Sequence, residues 1–524
     1  MTLATAHGVV LDGVRGVVVR VEVAVSDGLP SVGVVGLPDA SVTEARWRAR
    51  CAVEASGRSW PNRRVTVSLS PAEVRKHGAG LDLPIAVGIL VAASALPAGS
   101  LESTIFVGEL GLDGRLRPSR GLLAAILAAR RAGFTRVVVP DEGACEADVV
   151  PGITVVRAVD LSQVCRILEG VDPGCGAVRS EVRTDGRGSG ERDGGEGGHA
   201  HAVSEIGDLS DVRGHALPRW ALEVAAAGGH HLAMVGPPGI GKTLLASRLP
   251  GLLPDLSDDS ALDVAAIHSV AGRRRPPDAF TEPPLSAPHH SASAPAILGS
   301  VSGGRAVPGA VTLAHRGVLF LDEAPEFCRP ALEGLRQPLE SGLLTLHRTG
   351  WNGTLPARFQ LVIAANPCPC GQRTGSGTGC SCAPAAVRRY ASRLSGPLLD
   401  RVDIRLAVDR PHPAELESTD LPESSAVVRD RVRSARARMA HRYEGLPWQL
   451  TSEVPTGDLR RRWPPGPDGA EVLRDFERRS PNLRGVDRVL RMAWTLADLR
   501  AAPAPGRDDV AGALALRGAH LGWS

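Results

Sequence analysis

One stretch, Gly236-Pro237-Pro238-Gly239-Ile240-Gly241-Lys242-Thr243, has the residue types and spacing that phosphate chemistry needs. Phosphate oxygens must be met by backbone N–H groups, so the chain has to curl tightly with no side chains in the way. A helix beginning at the loop aims its N-terminal N–H groups and its dipole at the anion. Lys242 adds a positive charge, and the Thr243 hydroxyl can ligate Mg²⁺. The apolar run His231-Leu232-Ala233-Met234-Val235 before the loop reads as a buried strand, and Leu244-Leu245-Ala246-Ser247-Arg248-Leu249 after it as a helix. A glycine-rich turn alone could be structural. Strand, loop, Lys-Thr and helix in that order make a nucleotide phosphate site.

Further along, the apolar run Gly317-Val318-Leu319-Phe320-Leu321 ends in Asp322-Glu323. An acidic pair after a strand could simply cap the next helix. Following a phosphate loop, Asp322 is placed to hold Mg²⁺ and Glu323 to polarise an attacking water. A third apolar run, Phe359-Gln360-Leu361-Val362-Ile363-Ala364-Ala365, ends at Asn366, whose amide could orient that water or simply occupy a turn before Pro367. Next come two Cys-x-Cys pairs, Cys368/Cys370 and Cys380/Cys382, around a Gly/Ser/Thr loop. They can supply four thiolates for a structural Zn²⁺, with reduced thiols as the alternative.

These groups need elements to hold them. At 524 residues and 43% hydrophobic content the chain is long enough for two to four globular domains. The net charge of +3 makes no electrostatic case for nucleic acid by itself, and 3% aromatics argues against a base-stacking platform. Strand-like runs at Val17-Val18-Val19-Arg20-Val21-Glu22-Val23, Val32-Gly33-Val34-Val35-Gly36, Arg64-Val65-Thr66-Val67-Ser68-Leu69 and Arg136-Val137-Val138-Val139-Pro140 mix with helical stretches at 42–56 and 122–132, which indicates an α/β first block over 1–168. Residues 169–205 read as a Gly-rich linker in which His199 and His201 are solvated. Residues 206–410 hold the nucleotide motifs in an α/β core with a parallel sheet, and 411–524 is helical, with an amphipathic run at 486–499. Arg429, Arg431, Arg433, Arg436, Arg438 and Arg442 crowd one helix, either a nucleic-acid face or a solvated one. The uncharged stretch 83–101 is interrupted by Pro84, Gly88, Ser94, Pro97, Gly99 and Ser100 and reads as a buried core helix rather than a membrane span. The start of the chain does not read as a signal peptide, and the cysteines do not form a disulfide framework, so a reducing cytoplasm is expected.

Three ordered nucleotide motifs followed by a helical block describe an AAA+ ATPase. More narrowly, the chain resembles the YifB/ComM family of magnesium-chelatase-like AAA+ proteins over nearly its whole length. The resemblance is carried by Gly28-Leu29-Pro30, Val35-Gly36-Leu37-Pro38-Asp39-Ala40, Leu81-Asp82-Leu83-Pro84-Ile85-Ala86, Val107-Gly108-Glu109-Leu110, Pro288-His289-His290-Ser291 and Asn366-Pro367-Cys368-Pro369-Cys370-Gly371. Leu394-Ser395-Gly396-Pro397-Leu398-Leu399-Asp400-Arg401 belongs with them.

The resemblance implies an N-terminal domain of Lon-protease-like fold. Because the turn Gly78-Ala79-Gly80-Leu81-Asp82 has no serine, that domain is expected to be non-catalytic. It implies a C-terminal helical lid, and a homo-hexamer with ATP between subunits, where Arg401 is the arginine finger and Arg484 the second sensor. It implies insertions at 285–311 and 342–350, where Arg305, His347 and Arg348 are candidates for contact with a DNA backbone; as surface turns they need do nothing. The activity implied is that of an ATP-driven DNA helicase or branch-migration motor of recombination and natural transformation. A chelatase-type ATPase that remodels a protein partner is the alternative reading.

Overall fold

The computed structural model describes residues 1–179 apart from 98, 100 and 173–174, and residues 207–517 apart from 349–350, 374–378, 412–414, 416–421 and 480–482. Most of the expected linker, with His199 and His201, therefore lies outside the described residues.

The first block is mixed α/β. One four-stranded sheet runs in the order Thr2–Asp12, Arg15–Ser26, Arg64–Ser70, Ser31–Val35. In Arg15–Ser26 the valines alternate, and Val19, Val21, Val23 and Val25 all turn inward and are buried, as the period of a half-buried strand requires. The strand Thr2–Asp12 is absent from the sequence reading. Its first half, Thr2-Leu3-Ala4-Thr5-Ala6-His7, shows no clean apolar/polar alternation, and its antiparallel pairing from Thr2↔Val25 to Asp12↔Arg15 orders it. A second sheet, in the order Cys175–Arg179, Thr154–Ala158, Arg136–Pro140, Thr104–Phe106, completes the block. Helix Asp82–Ala92 is buried at all of its positions, as expected of a core helix, and no described helix is long and apolar enough to cross a membrane. Its buried Asp82 is met by the guanidinium of Arg48 at 2.7 Å.

The second block carries a five-stranded sheet in the order Leu285–Ser286, Val318–Leu321, Gln360–Ala365, Leu232–Val235, Ile404–Ala407, every neighbouring pair parallel. The three central strands are buried on both faces, which is why they read as unbroken apolar runs. In a parallel sheet all carboxyl ends lie along one edge, where ligands of open α/β sheets bind. Val235, Leu321 and Ala365 end there, so the phosphate loop, Asp322 and Asn366 emerge side by side.

The C-terminal block is helical: Ser425–Arg442, Thr456–Arg462, Pro467–Arg479, Leu483–Leu499 and Arg507–Arg517. The arginine-rich helix Ser425–Arg442 is solvated along one face, where Arg433 and Arg438 are exposed, yet its arginines are engaged within the chain. Arg431 is clamped between Glu223 and Glu423, and Arg433 reaches Asp255 at 3.0 Å. Arg429 donates to Gly251 O, Arg436 to Ala226 O and Arg438 to Asp498 O, while Arg442 pairs with buried Asp498 and lies 4.1 Å over the Trp494 ring. These contacts tie the helix to the second block and to Leu483–Leu499.

The first block also fails to stand apart. One apolar cluster runs from Val9, Leu122 and Ile126 into Leu262, Ile267 and Val270 of the second block. Arg131 reaches Asp263 at 2.7 Å across the same seam. The expected insertion at 285–311 begins with the sheet's edge strand Leu285–Ser286 and includes the helix Ala294–Leu298 before a hairpin. The one at 342–350 opens a second hairpin, and both hairpins rest on the first block. In Ser300–Ser302/Arg305–Val307, the Arg305 guanidinium lies where a Cβ on Gly78 would stand. In Leu343–Arg348/Trp351–Pro356, Trp351 Nε1 donates to Asp12 Oδ1 at 2.6 Å. The turn residues Thr349 and Gly350 and the side chain of Arg348 lie outside the described residues, whereas His347 is exposed.

Candidate nucleotide-binding site

The loop leaves its strand at Gly236, where a Cβ would stand 2.2 Å from Val408 O, so only glycine fits. Gly239 and Gly241 take positive φ of 74° and 92°, which the curl requires. Pro237 and Pro238 follow Gly236 at the mouth of the curl, and Ile240 turns back into the core at 8% exposure. Helix Lys242–Leu252 then starts at the loop, so its first N–H groups face the cradle.

Lys242 is buried, with Nζ donating to Gly236 O at 2.7 Å, Pro237 O at 2.7 Å and Asn366 Oδ1 at 3.2 Å. Burial pushes its ammonium below the ordinary lysine value, while Asp322 and Glu323 oppose that shift. Thr243 Oγ1 donates to Asp322 Oδ2 at 2.6 Å. A hydroxyl and a carboxylate so placed are hard oxygen donors suited to Mg²⁺. Glu323 sits at φ 51°, a left-handed conformation that is strained for a non-glycine residue and that marks functional positions. Its Oε2 lies 3.1 Å from His290 Nδ1, and its N–H donates to Asp322 Oδ1 at 2.9 Å. Lys242, Thr243, Asp322, Glu323 and Asn366 are thus brought together around one cradle.

The two remaining arginines stand differently. Arg401 follows the short helix Gly396–Leu399, pairs with Glu340 and donates to Pro397 O at 2.5 Å, while its Nε is buried without a partner. Neither of these contacts is with the phosphate loop of its own chain. Arg484 is exposed in the first turn of Leu483–Leu499, and Asn482 before it lies outside the described residues.

Cys368, Cys370, Cys380 and Cys382 converge, with sulfur atoms all within 4.8 Å of one another. The Cys370 thiol is held down to about 6, first by the Gln372 backbone N–H and then by Cys368, whereas burial pushes Cys368 up. The cluster is compatible with a zinc site. Residues 374–378, between the pairs, lie outside the described residues.

His290 and Tyr390 enter the site without having been singled out for it. The Tyr390 phenol is hydrogen-bonded to the Asn366 backbone, and burial pushes its pKa upward. For His290 the signal was the Pro288-His289-His290-Ser291 run; for Tyr390 none was visible.

The magnesium chelatase subunit ChlI pattern matches residues 208–416, that of its C-terminal part 422–517, and that of a subunit ChlI of Mg-chelatase 21–143. The uncharacterised protein YifB of Escherichia coli is 39% identical over 503 residues, covering 95% of this chain and 94% of its own. The competence protein ComM of Haemophilus influenzae is 37% identical over 503 residues, with the same coverage. The chain belongs to the YifB/ComM magnesium-chelatase-like family. An uncharacterised protein of Mycobacterium tuberculosis, Rv2897c, is 45% identical over 519 residues, 99% of each chain. Membership in this AAA+ family implies ATPase activity and agrees with the mixed α/β fold, its parallel sheet and its helical C-terminal region.

Proposed function

We propose that this YifB/ComM-family chain is an ATP-hydrolysing ring motor that acts on DNA. The observation that carries the ATPase half is the convergence of Lys242, Thr243, Asp322, Glu323 and Asn366 on one sheet edge. The cradle Gly236-Pro237-Pro238-Gly239-Ile240-Gly241 presents its N–H groups to the phosphates. With phosphate bound, Lys242 would turn from the loop carbonyls to its oxygens, and Thr243 and Asp322 would hold Mg²⁺. A metal ion held there would supply charge that offsets the phosphate oxygens. Glu323 accepts the proton of the attacking water, and Asn366 orients that water.

The site is completed by a neighbour in a homo-hexamer. Arg401 is the finger, because its contacts, Glu340 and Pro397 O, lie away from the phosphate loop of its own chain. Arg484 senses the phosphates from the lid. In this reading residues 1–168 are a non-catalytic Lon-like module, 206–410 the AAA+ core and 411–524 the lid.

The DNA half is supported by the similarity to the competence protein ComM and by the two hairpins, with Arg305, His347 and Arg348 as backbone contacts. The match to magnesium chelatase ChlI supports the alternative, a motor that remodels a protein partner. Proteolysis is disfavoured: the 78–82 turn has no serine, and the adjacent Lys76 is buried against Pro71 O. The test is ATPase rate with and without forked or single-stranded DNA. Stimulation that weakens with salt supports the DNA motor, and indifference to all DNA overturns it in favour of the protein partner.

A further inference from the structure

We propose that Cys368, Cys370, Cys380 and Cys382 bind one Zn²⁺, and that this ion braces the phosphate loop and Asn366 from outside the nucleotide pocket. Four thiolates at about 2.3 Å from a zinc ion stand about 3.8 Å apart along the edges of a tetrahedron. The sulfurs of Cys370 and Cys380 are 3.7 Å apart, those of Cys368 and Cys380 3.6 Å, and those of Cys368 and Cys370 3.3 Å. The Gln372 and Arg373 backbone N–H groups are hydrogen-bonded to Cys370 and Cys368, which orients those sulfurs. Soft thiolates select zinc, whereas the oxygens of Thr243 and Asp322 suit Mg²⁺, so neighbouring segments hold the two cations without competing.

What the metal would join is visible on both sides of it. On one side, Cys368 follows Asn366 after a single residue, Pro367, and is fully buried. The turn Cys368-Pro369-Cys370-Gly371 is closed by Gly371 N–H donating to Cys368 O at 2.9 Å. Gly371, at φ 74°, packs so closely on the phosphate loop that a Cβ there would lie 2.7 Å from Pro238 Cδ. On the other side, Cys380 and Cys382 lead into helix Pro384–Ala391, whose Tyr390 meets the Asn366 backbone. Just beyond that helix, Arg393 donates to Pro325 O at 3.2 Å and to Glu326 at 2.6 Å, in the segment that follows Glu323. A metal at the four sulfurs therefore ties the Asn366 turn and its Pro238 contact to the helix that supports Asn366 and the Glu323 segment. Its binding energy becomes folding energy of those two segments.

The zinc half stands on the cluster alone; the bracing half rests on the nucleotide-site reading. The full-length chain, purified without chelating resin, should contain about one zinc per chain by mass spectrometry of metals. Cys370→Ser and Cys382→Ser should each lose it, and Cys51→Ser should keep it. Stripping the wild-type chain with a chelator should speed hydrogen exchange in peptides covering 232–243 and 366–373, leave the strand Thr2–Asp12 unchanged, and be reversed by added zinc. Support lost from around a site typically costs about 10–100-fold, so kcat should fall by about that factor with KM little changed. Equimolar iron, or thiols without metal, overturns the zinc assignment. Zinc whose removal leaves exchange at 232–243 untouched overturns the brace. A zinc-loaded chain that binds no ATP would instead sink the nucleotide reading, because metal content and exchange are read without turnover.

Discussion

His290 Nδ1 stands 3.1 Å from Glu323 Oε2, so the carboxylate assigned to water activation is engaged by a residue that lies near the hairpin insertion. The contact occupies the Oε2 that would otherwise meet the attacking water. Contact between DNA and the insertion would be one way to release it. His290→Ala should therefore raise the basal ATPase rate and shrink the further rise on adding DNA. Both side chains are part-exposed, and such a pair is worth about 0.2–1 kcal/mol, so the basal rise should stay within about fivefold. A variant slower than wild type would show that His290 supports Glu323 instead of restraining it.

Lys242→Ala should abolish nucleotide binding, since the described cradle has no other lysine or arginine for those phosphates. Glu323→Gln keeps size and polarity, so it should bind ATP normally and lose about 10²–10⁴-fold in turnover. Fluorescent-nucleotide binding beside steady-state ATPase separates the two variants. Normal affinity in Lys242→Ala would remove the phosphate-site assignment.

For Arg401→Ala, binding should be nearly intact and turnover lowered by about 10³–10⁵, as for other trans-acting arginines. Mixed rings with wild-type chains should recover part of the activity. The Arg401–Glu340 pair offers a plainer role, which Glu340→Ala tests. If Arg401 serves only to hold Glu340, the two variants will behave alike.

The C-terminal helical block is fastened to the second block by a buried charge. Asp403 is 2% exposed; burial alone would raise its carboxyl pKa, but Arg488 and then His230 outweigh burial and hold it well below the usual range. Because the folded value lies under the unfolded one, the unfolded chain takes up the proton first as pH falls. Stability from this pair is complete above about pH 4 and is lost below it, as the acid side of thermal melts should show. Arg488→Met leaves the buried carboxylate without its guanidinium, with only His230 and the His231 N–H beside it, and should cost up to about 3–5 kcal/mol at neutral pH. A melting temperature unchanged from wild type would refute the fastening.

What could be read in advance follows physical locality. Gly236 through Thr243 carry their chemistry within one turn of chain, and strand ends at Asp322 and Asn366 show as apolar runs stopped by a polar residue. The cysteine pairs were legible as spacing, although not their contact with Pro238, which depends on how two loops pack. The strand Thr2–Asp12 escaped because its order comes from pairing and not from its own residues. Arg431 and Arg436 looked like a charged face because their partners, Glu223 and Ala226 O, are more than 200 positions away. For the same reason the first block looked independent: the seam of Leu122, Ile126 and Val270 is made of ordinary apolar residues whose destination no local pattern states.

The central claim is that one chain holds an incomplete ATPase site that a neighbour finishes. The most direct measurement is ATPase rate per chain against protein concentration, with mass photometry on the same samples. Turnover per chain should be near zero for monomers and should rise in step with the ring population. A rate per chain that stays constant through the monomer range would contradict it.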